Sequence, residues 1–217
     1  MALLTMLAGC GASRAVAPMG AGVGAVTSSV GGPVLSFDGA PVPLPLVSVG
    51  YRRGLTDRTS AHGGVQLTNL VLMGVFGAEL GVDVEVVPPR GPWPRLMVDQ
   101  TVLVFMGDNV AGDPPFGARV FLDAGAVASW DVGRRQHHPY VGLRLFDQPF
   151  PEHHTYLSPV VGGVWNTGRV GWQAELGWPA FTRRNVPSFV DWIGPARHGA
   201  LSVQLGATIT LGHGFEP

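Results

Sequence analysis

Two histidine pairs, His137-His138 and His153-His154, and two Ser–His combinations, His198 with Ser202 and His154 with Ser158, are the places where this chain holds the raw material of a site. Imidazoles bind zinc readily, and a serine beside a histidine is the start of a nucleophile with its base. The spacing argues against both uses. Adjacent residues on a strand point to opposite faces, so neither pair offers two rings to one ion. The topology derived below sets the pairs at opposite ends of the molecule, and no metal is assigned. No G-x-S-x-G run occurs, and nothing fixes a base beside a nucleophile. The single cysteine, Cys10, excludes an internal disulfide and a thiolate metal site. A lipid-modifying enzyme with a Ser/His set at a rim stays open as an alternative, the reading leans away from catalysis, and no cofactor is assigned.

The second candidate is a set of charges of both signs: Arg52, Glu79, Asp83, Glu85, Asp99, Arg119, Asp123, Arg144, Arg169 and Glu175. Many of them alternate with apolar residues. Phe76, Ala78, Leu80, Val82 and Val84 oppose Glu79, Asp83 and Glu85. Ala118, Val120, Leu122, Ala124 and Ala126 oppose Arg119, Phe121 and Asp123. Val141, Leu143 and Leu145 oppose Arg144 and Phe146. Val170, Trp172, Ala174, Leu176 and Trp178 oppose Arg169, Gln173 and Glu175. Period two is the mark of a strand with one apolar face. Charges that share a face with many glycines suit a narrow lumen in which Arg and carboxylates pair, either as a salt-bridge plug or as a path for protons or ions.

Composition says what surrounds that lumen. Of the 217 residues, 46% are hydrophobic and only 13% are charged, against roughly 25% charged in an ordinary soluble domain. A barrel in lipid needs such an apolar outer surface. With 32 glycines and 19 prolines a helical protein is excluded. The net charge of −1 provides no basic field for nucleic acid. All 14 basic residues are Arg, a choice that suits fixed bidentate pairing, though a genome-wide codon bias is the weightier explanation.

Residues 1–10, MALLTMLAGC, end in Leu7-Ala8-Gly9-Cys10, which resembles the lipobox of bacterial lipoprotein signal peptides. That resemblance implies acylation of Cys10. No Lys or Arg precedes the short apolar run, so the expected start of translation lies upstream. The absence of Asp just after the cysteine implies the outer membrane. Residues 11–32, rich in Gly, Ala, Ser and Val, read as a flexible tether, and 33–217 as a barrel. No run of 18 apolar residues occurs, so no transmembrane helix is expected.

The last segment alternates most strictly: Leu201, Val203, Leu205, Ala207, Ile209 and Leu211 oppose Ser202, Gln204, Gly206, Thr208 and Thr210. Gln204, Gly206, Ile209 and Leu211 also resemble the C-terminal insertion signal of outer-membrane barrels, which implies recognition by the barrel assembly machinery. Tyr51-Arg52-Arg53-Gly54-Leu55-Thr56-Asp57-Arg58 resembles a Y-x-x-G-[LI]-T-D-R hairpin of uncharacterised outer-membrane barrels and marks architecture.

With weaker strands at 33–37, 44–53, 60–69, 95–106 and 155–165, the count is about ten. The expected fold is all-β: a single antiparallel up-and-down transmembrane β-barrel of about 8–10 strands behind a lipidated tether. With the last strand ending in the periplasm, the connections at 107–116, 148–154 and 181–197 lie outside the cell, and those at 54–59, 88–94, 133–137 and 166–168 lie in the periplasm. The outer set is longer apart from 70–73, as in outer-membrane barrels. The loop at 181–197 carries Arg183, Arg184, Phe189, Trp192 and Arg197, anchors suited to a partner protein or to lipopolysaccharide. The function expected is that of a lipid-anchored barrel in contact with outer-membrane lipid, in a structural, interaction or narrow-passage role. A soluble lipocalin-like binder, with the two faces exchanged, is the other alternative.

Overall fold

The computed structural model describes residues 14–107, 117–133, 137–149, 153–185 and 191–211. Eleven strands are described: β1 (Gly24–Phe37), β2 (Ala40–Pro43), β3 (Leu46–Gly54), β4 (Thr59–Gln66), β5 (Phe76–Val87), β6 (Arg95–Gly107), β7 (Gly117–Ser129), β8 (His137–Gln148), β9 (His154–Thr167), β10 (Val170–Gly177) and β11 (Ser202–Leu211). A helix, α1 (Leu67–Met73), joins β4 to β5.

All pairings are antiparallel, and β11 returns to β1 from Gly24↔Leu211 to Pro33↔Ser202. Ten strands therefore close a barrel, which leaves it without an open edge. The eleventh, β2, folds onto the far half of β1, from Val34↔Pro43 to Phe37↔Ala40. Asp38 and Gly39 turn that hairpin with φ of 51° and 81°. Positive φ at both central residues gives the type I′ turn, whose twist matches that of the strands.

The alternation resolves into faces as expected of a barrel in lipid. Leu176, Leu205 and Ile209 are exposed outward, whereas Glu79, Arg119 and Glu175 are buried inside. The soluble alternative requires the reverse. One end of the barrel, the termini end, is where β1 starts and β11 stops; it carries the turns 55–58, 88–94 and 168–169 and residues 130–133, which follow β7. The opposite, loop end carries α1, the β1–β2 hairpin and the long connection from β10 to β11.

The structure corrects four expected boundaries. The tether of 11–32 is not one where it is described. The first strand starts at Gly24 rather than at 33, because Gly24–Pro33 is the segment that closes the ring against β11, and residues before it enter the lumen. The strand expected at 60–69 stops at Gln66. Leu67, Leu70 and Val71 then carry a helical spacing, and Gly74, at φ 65°, ends the helix by donating to Leu70 O while Val75 donates to Asn69 O. The strand seen as 141–146 spans His137–Gln148, paired along its whole length with β9.

Candidate functional site

The lumen is where the inward residues of every strand meet, and it is filled in layers. Toward the loop end, Val75, Leu103, Phe105, Phe121 and Phe146 form an apolar cluster with Tyr156 against it. Phe121 stacks on Phe146 with centroids 5.1 Å apart and meets Phe105 edge-on at 5.7 Å. Offset and edge-on contacts of this kind are the arrangements favoured by the ring quadrupole.

Below the rings lies the charge network. Arg144 forks between two carboxylates, Asp99 on β6 (Nη2–Oδ2 2.9 Å) and Asp123 on β7, to which both Nε and Nη2 donate. Gly125 leaves the room: a Cβ there would stand 2.6 Å from Asp99 Oδ1 and 3.0 Å from Arg144 Nη1. Asp83 lies 3.2 Å from Arg52 Nε and also accepts from Ser60 Oγ at 3.1 Å. Gln66 Nε2 donates to Glu79 at 3.4 Å. At the termini end Arg95 joins Glu85 (2.7 Å) to Asp131, which it meets with both terminal nitrogens, and His138 Nδ1 stands 2.9 Å from the same Asp131. Glu175 is held by Arg14 at 2.6 Å.

Nine of the ten expected charges thus point inward, and Arg119 is buried among them. Arg169 does not belong to the network. It lies exposed at the tight β9–β10 turn, where its carbonyl accepts Thr210 N–H. The alternation of 169–178 counted it as a strand residue, but the strand starts only at Val170.

Several network members escaped the sequence reading. His62 and Arg95 lie on the inward register of the strands expected at 60–69 and 95–106, and Tyr140 stands one residue before the segment 141–146, so period two reaches all three. Arg14 offered no signal, because no strand pattern covers it.

One group has the connectivity of a nucleophile, base and orienting acid. Thr101 Oγ1 is 3.1 Å from His62 Nε2, and His62 Nδ1 is 3.1 Å from Asp83 Oδ2. It faces a cavity of about 30 Å³ between Arg14, His62, Asp99, Asp123 and Arg144, which is room for about two waters. The space beside the array is of water size as the side chains stand.

The histidine pairs are separated by the fold. His138 points inward and His137 is exposed, both where β8 starts at the termini end; His153 reaches Asp147 at 2.9 Å near the loop end, and His154 lies 6.1 Å from the Tyr156 ring. His198 Nδ1 lies 3.0 Å from Ala196 O rather than beside Ser202. Among the described residues no group of three potential ligands is placed to hold a metal ion.

At the loop end, Arg183 lies over the Tyr156 ring at 5.6 Å, Arg184 pairs with His198 in a short ribbon, and Trp192 pairs with Leu35 of β1. Arg197 holds φ 62° next to Arg184's strand partner. Phe189 and Cys10 lie outside the described residues. In β11, Gln204 and Gly206 take the inward register, while Ile209 and Leu211 are exposed outward on the strand that closes the ring.

No family model matches the chain, and no curated protein matches it. Several solved structures are similar to it in fold. The translocator domain of the autotransporter NalP from Neisseria meningitidis has 9% identity and a TM-score of 0.47, with 88% of each chain covered. Ail, the attachment invasion locus protein of Yersinia pestis, in complex with the heparin analogue sucrose octasulfate, has 11% identity and a TM-score of 0.30, with 88% of this chain and 99% of that one covered. The closed ring, the apolar outer wall and the polar, filled lumen define a transmembrane β-barrel of the outer-membrane type.

Proposed function

We propose that this chain is an outer-membrane barrel with its termini end in the periplasm, which serves as a closed scaffold presenting its loop end to a partner outside the cell. The observation that carries this reading is the filled lumen. Rings occupy one half and paired charges the other, and among the described residues the cavity lined by the charge network holds only about 30 Å³. A solute channel needs more, and a lipid-modifying enzyme needs a site that lipid can reach.

The presented surface is the connection from β10 to β11. Arg183, Arg184 and Arg197 are exposed there, and among the described residues none of them is joined to a carboxylate. Exposed guanidiniums not joined to a described carboxylate suit lipopolysaccharide phosphates or an acidic partner protein. The pure protein in planar bilayers should give a flat trace, and replacing these three Arg by Ser should weaken retention on immobilised lipopolysaccharide. Steady conductance that changes when Glu79 or Arg119 is neutralised would establish the narrow passage instead.

The run Leu7–Cys10 supports a lipid anchor at Cys10, and the register of Gln204, Gly206, Ile209 and Leu211 supports insertion through the barrel assembly machinery. The anchor meets a constraint of reach. Arg14 is held inside the wall beside Gln173, and the four residues back to Cys10 span at most about 14 Å. Acylation in the periplasmic leaflet therefore competes with the seat of Arg14. Mass spectrometry of the membrane-extracted protein, showing an acylated or a free Cys10, decides the point.

A further inference from the structure

Residues 14–23, read from the sequence as part of a tether, turn back into the barrel, and the place that receives them is built in detail. Arg14 meets Glu175 as a fork, Nε to Oε2 at 2.6 Å and Nη2 to Oε1 at 2.7 Å, and its backbone N–H donates to Gln173 Oε1 at 3.0 Å. The receiving side chains are fixed to one another. Gln173 Nε2 donates to Tyr140 Oη at 2.7 Å, and Tyr140 donates to Glu175 Oε2 at 2.8 Å. Gly162 makes this possible: a Cβ there would stand 2.5 Å from both Tyr140 Oη and the Ala174 carbonyl oxygen. Behind the guanidinium, Ala15 and Val16 are buried against Met97, Val127, Tyr140 and Val160, and Ser129 Oγ donates to Val16 O at 2.7 Å.

The other end of the segment is held by the Tyr51–Arg58 hairpin. Gly20 and Gly22, at φ 77° and 78°, carry the chain over the rim. Gly22 N–H donates to Gly54 O at 2.9 Å, Gly54 N–H returns to Val23 O at 2.8 Å, and Ala21 N–H donates to Asp57 Oδ1 at 3.3 Å. A Cβ on Gly54 would stand 1.8 Å from Gly20 O. Gly54 and Asp57, whose motif carried no chemistry in the sequence, are the residues that touch the incoming segment.

We infer that Glu175, Gln173 and Tyr140 form a guanidinium-binding site opening to the termini end of the lumen, suited to an arginine on an extended peptide, that Arg14 fills it in cis, and that the Tyr51–Arg58 hairpin is the clasp. A carboxylate presented edge-on matches the planar fork of a guanidinium, whereas an ammonium makes only a point contact. The apolar shelf under Ala15 and Val16 adds preference for a peptide over a free cation.

The test is maleimide labelling of Ala15→Cys in an otherwise full chain carrying Cys10→Ser, folded in lipid vesicles and checked by heat-shifted gel mobility. Labelling should be slow. Glu175→Gln or Arg14→Ser should speed it about tenfold or more, the loss expected for charge-assisted hydrogen bonds, with Arg14→Lys in between. Millimolar methylguanidinium should speed labelling of the chain that keeps Arg14, and tetramethylammonium, which has no N–H, should not. That arm stands even if a variant fails to fold. Fast labelling of the starting chain would show that the segment is not seated and overturn the inference. Slow labelling indifferent to both Glu175→Gln and methylguanidinium would leave apolar packing as the holder and sink the guanidinium site. No acceleration by Asp57→Ala would remove the clasp.

Discussion

At the loop end the lumen is filled by Phe105, Phe121 and Phe146, three rings from the consecutive strands β6, β7 and β8. At the termini end it is filled by ion pairs and by Arg14, Ala15 and Val16, which come from outside the ring of strands. The first filling is local: each ring stands on a neighbouring strand, and its position follows from the side-chain period of two. The second is assembled across the barrel, with Arg14 and Glu175 lying 161 positions apart in the chain. Rings resist water by area alone, whereas the charges hold only as complete sets, because a buried charge deprived of its partner is expensive. One half should therefore respond to lost volume and the other to lost partners.

The largest effect is expected from Phe121→Ala. The ring is fully buried between two others, and its removal should cost about 3–5 kcal/mol in urea unfolding from lipid vesicles. It should leave maleimide labelling at position 15 unchanged; accelerated labelling would mean that the two halves are coupled. Next is Arg144→Met, which strands Asp99 and Asp123. It should cost roughly 3 kcal/mol, the lower end for a pair that keeps some exposure. Adding Asp99→Asn and Asp123→Asn should recover most of that loss, and a triple variant no better than the single one would show that the carboxylates do not need their partner.

Gly162→Ala comes third, at about 1–3 kcal/mol, because the new methyl group collides with Tyr140 Oη and a backbone oxygen that cannot move far. Unlike Phe121→Ala, it should also speed labelling at position 15, since Tyr140 orients Glu175. The smallest effect belongs to Ser129→Ala, at about 1 kcal/mol for one hydrogen bond to Val16 O. A value indistinguishable from zero there would leave the hold on the segment to Arg14, its apolar neighbours and the hairpin clasp.

The strands that were easiest to read were those with one uniform face. In β11, five apolar residues at every second position, with Leu201 just before them, are enough to identify the strand and the side that meets lipid. The inward charges of β5 and β7 were legible for the same reason. The misreadings have local causes. Arg169 sits one residue before its strand, where alternation continues by accident through the turn. Leu67, Leu70 and Val71 alternate poorly as a strand and well as a helix, and Gly74 marks the stop. Gly24–Pro33 was hidden among small residues, whose weak hydrophobic contrast resembles a linker even though the segment closes the ring.

By itself the amino-acid sequence determined the class of fold, because period two, scarce charge and frequent glycine act residue by residue and need no knowledge of distant partners. It also determined which side chains point inward along most strands. Only the tertiary structure decided which charges meet, since pairing across a lumen depends on where the ring closes and how far each strand slides past the next. It alone decided that Arg14 lies within, because a buried contact between one isolated residue and a wall far along the chain leaves no periodic trace in either place.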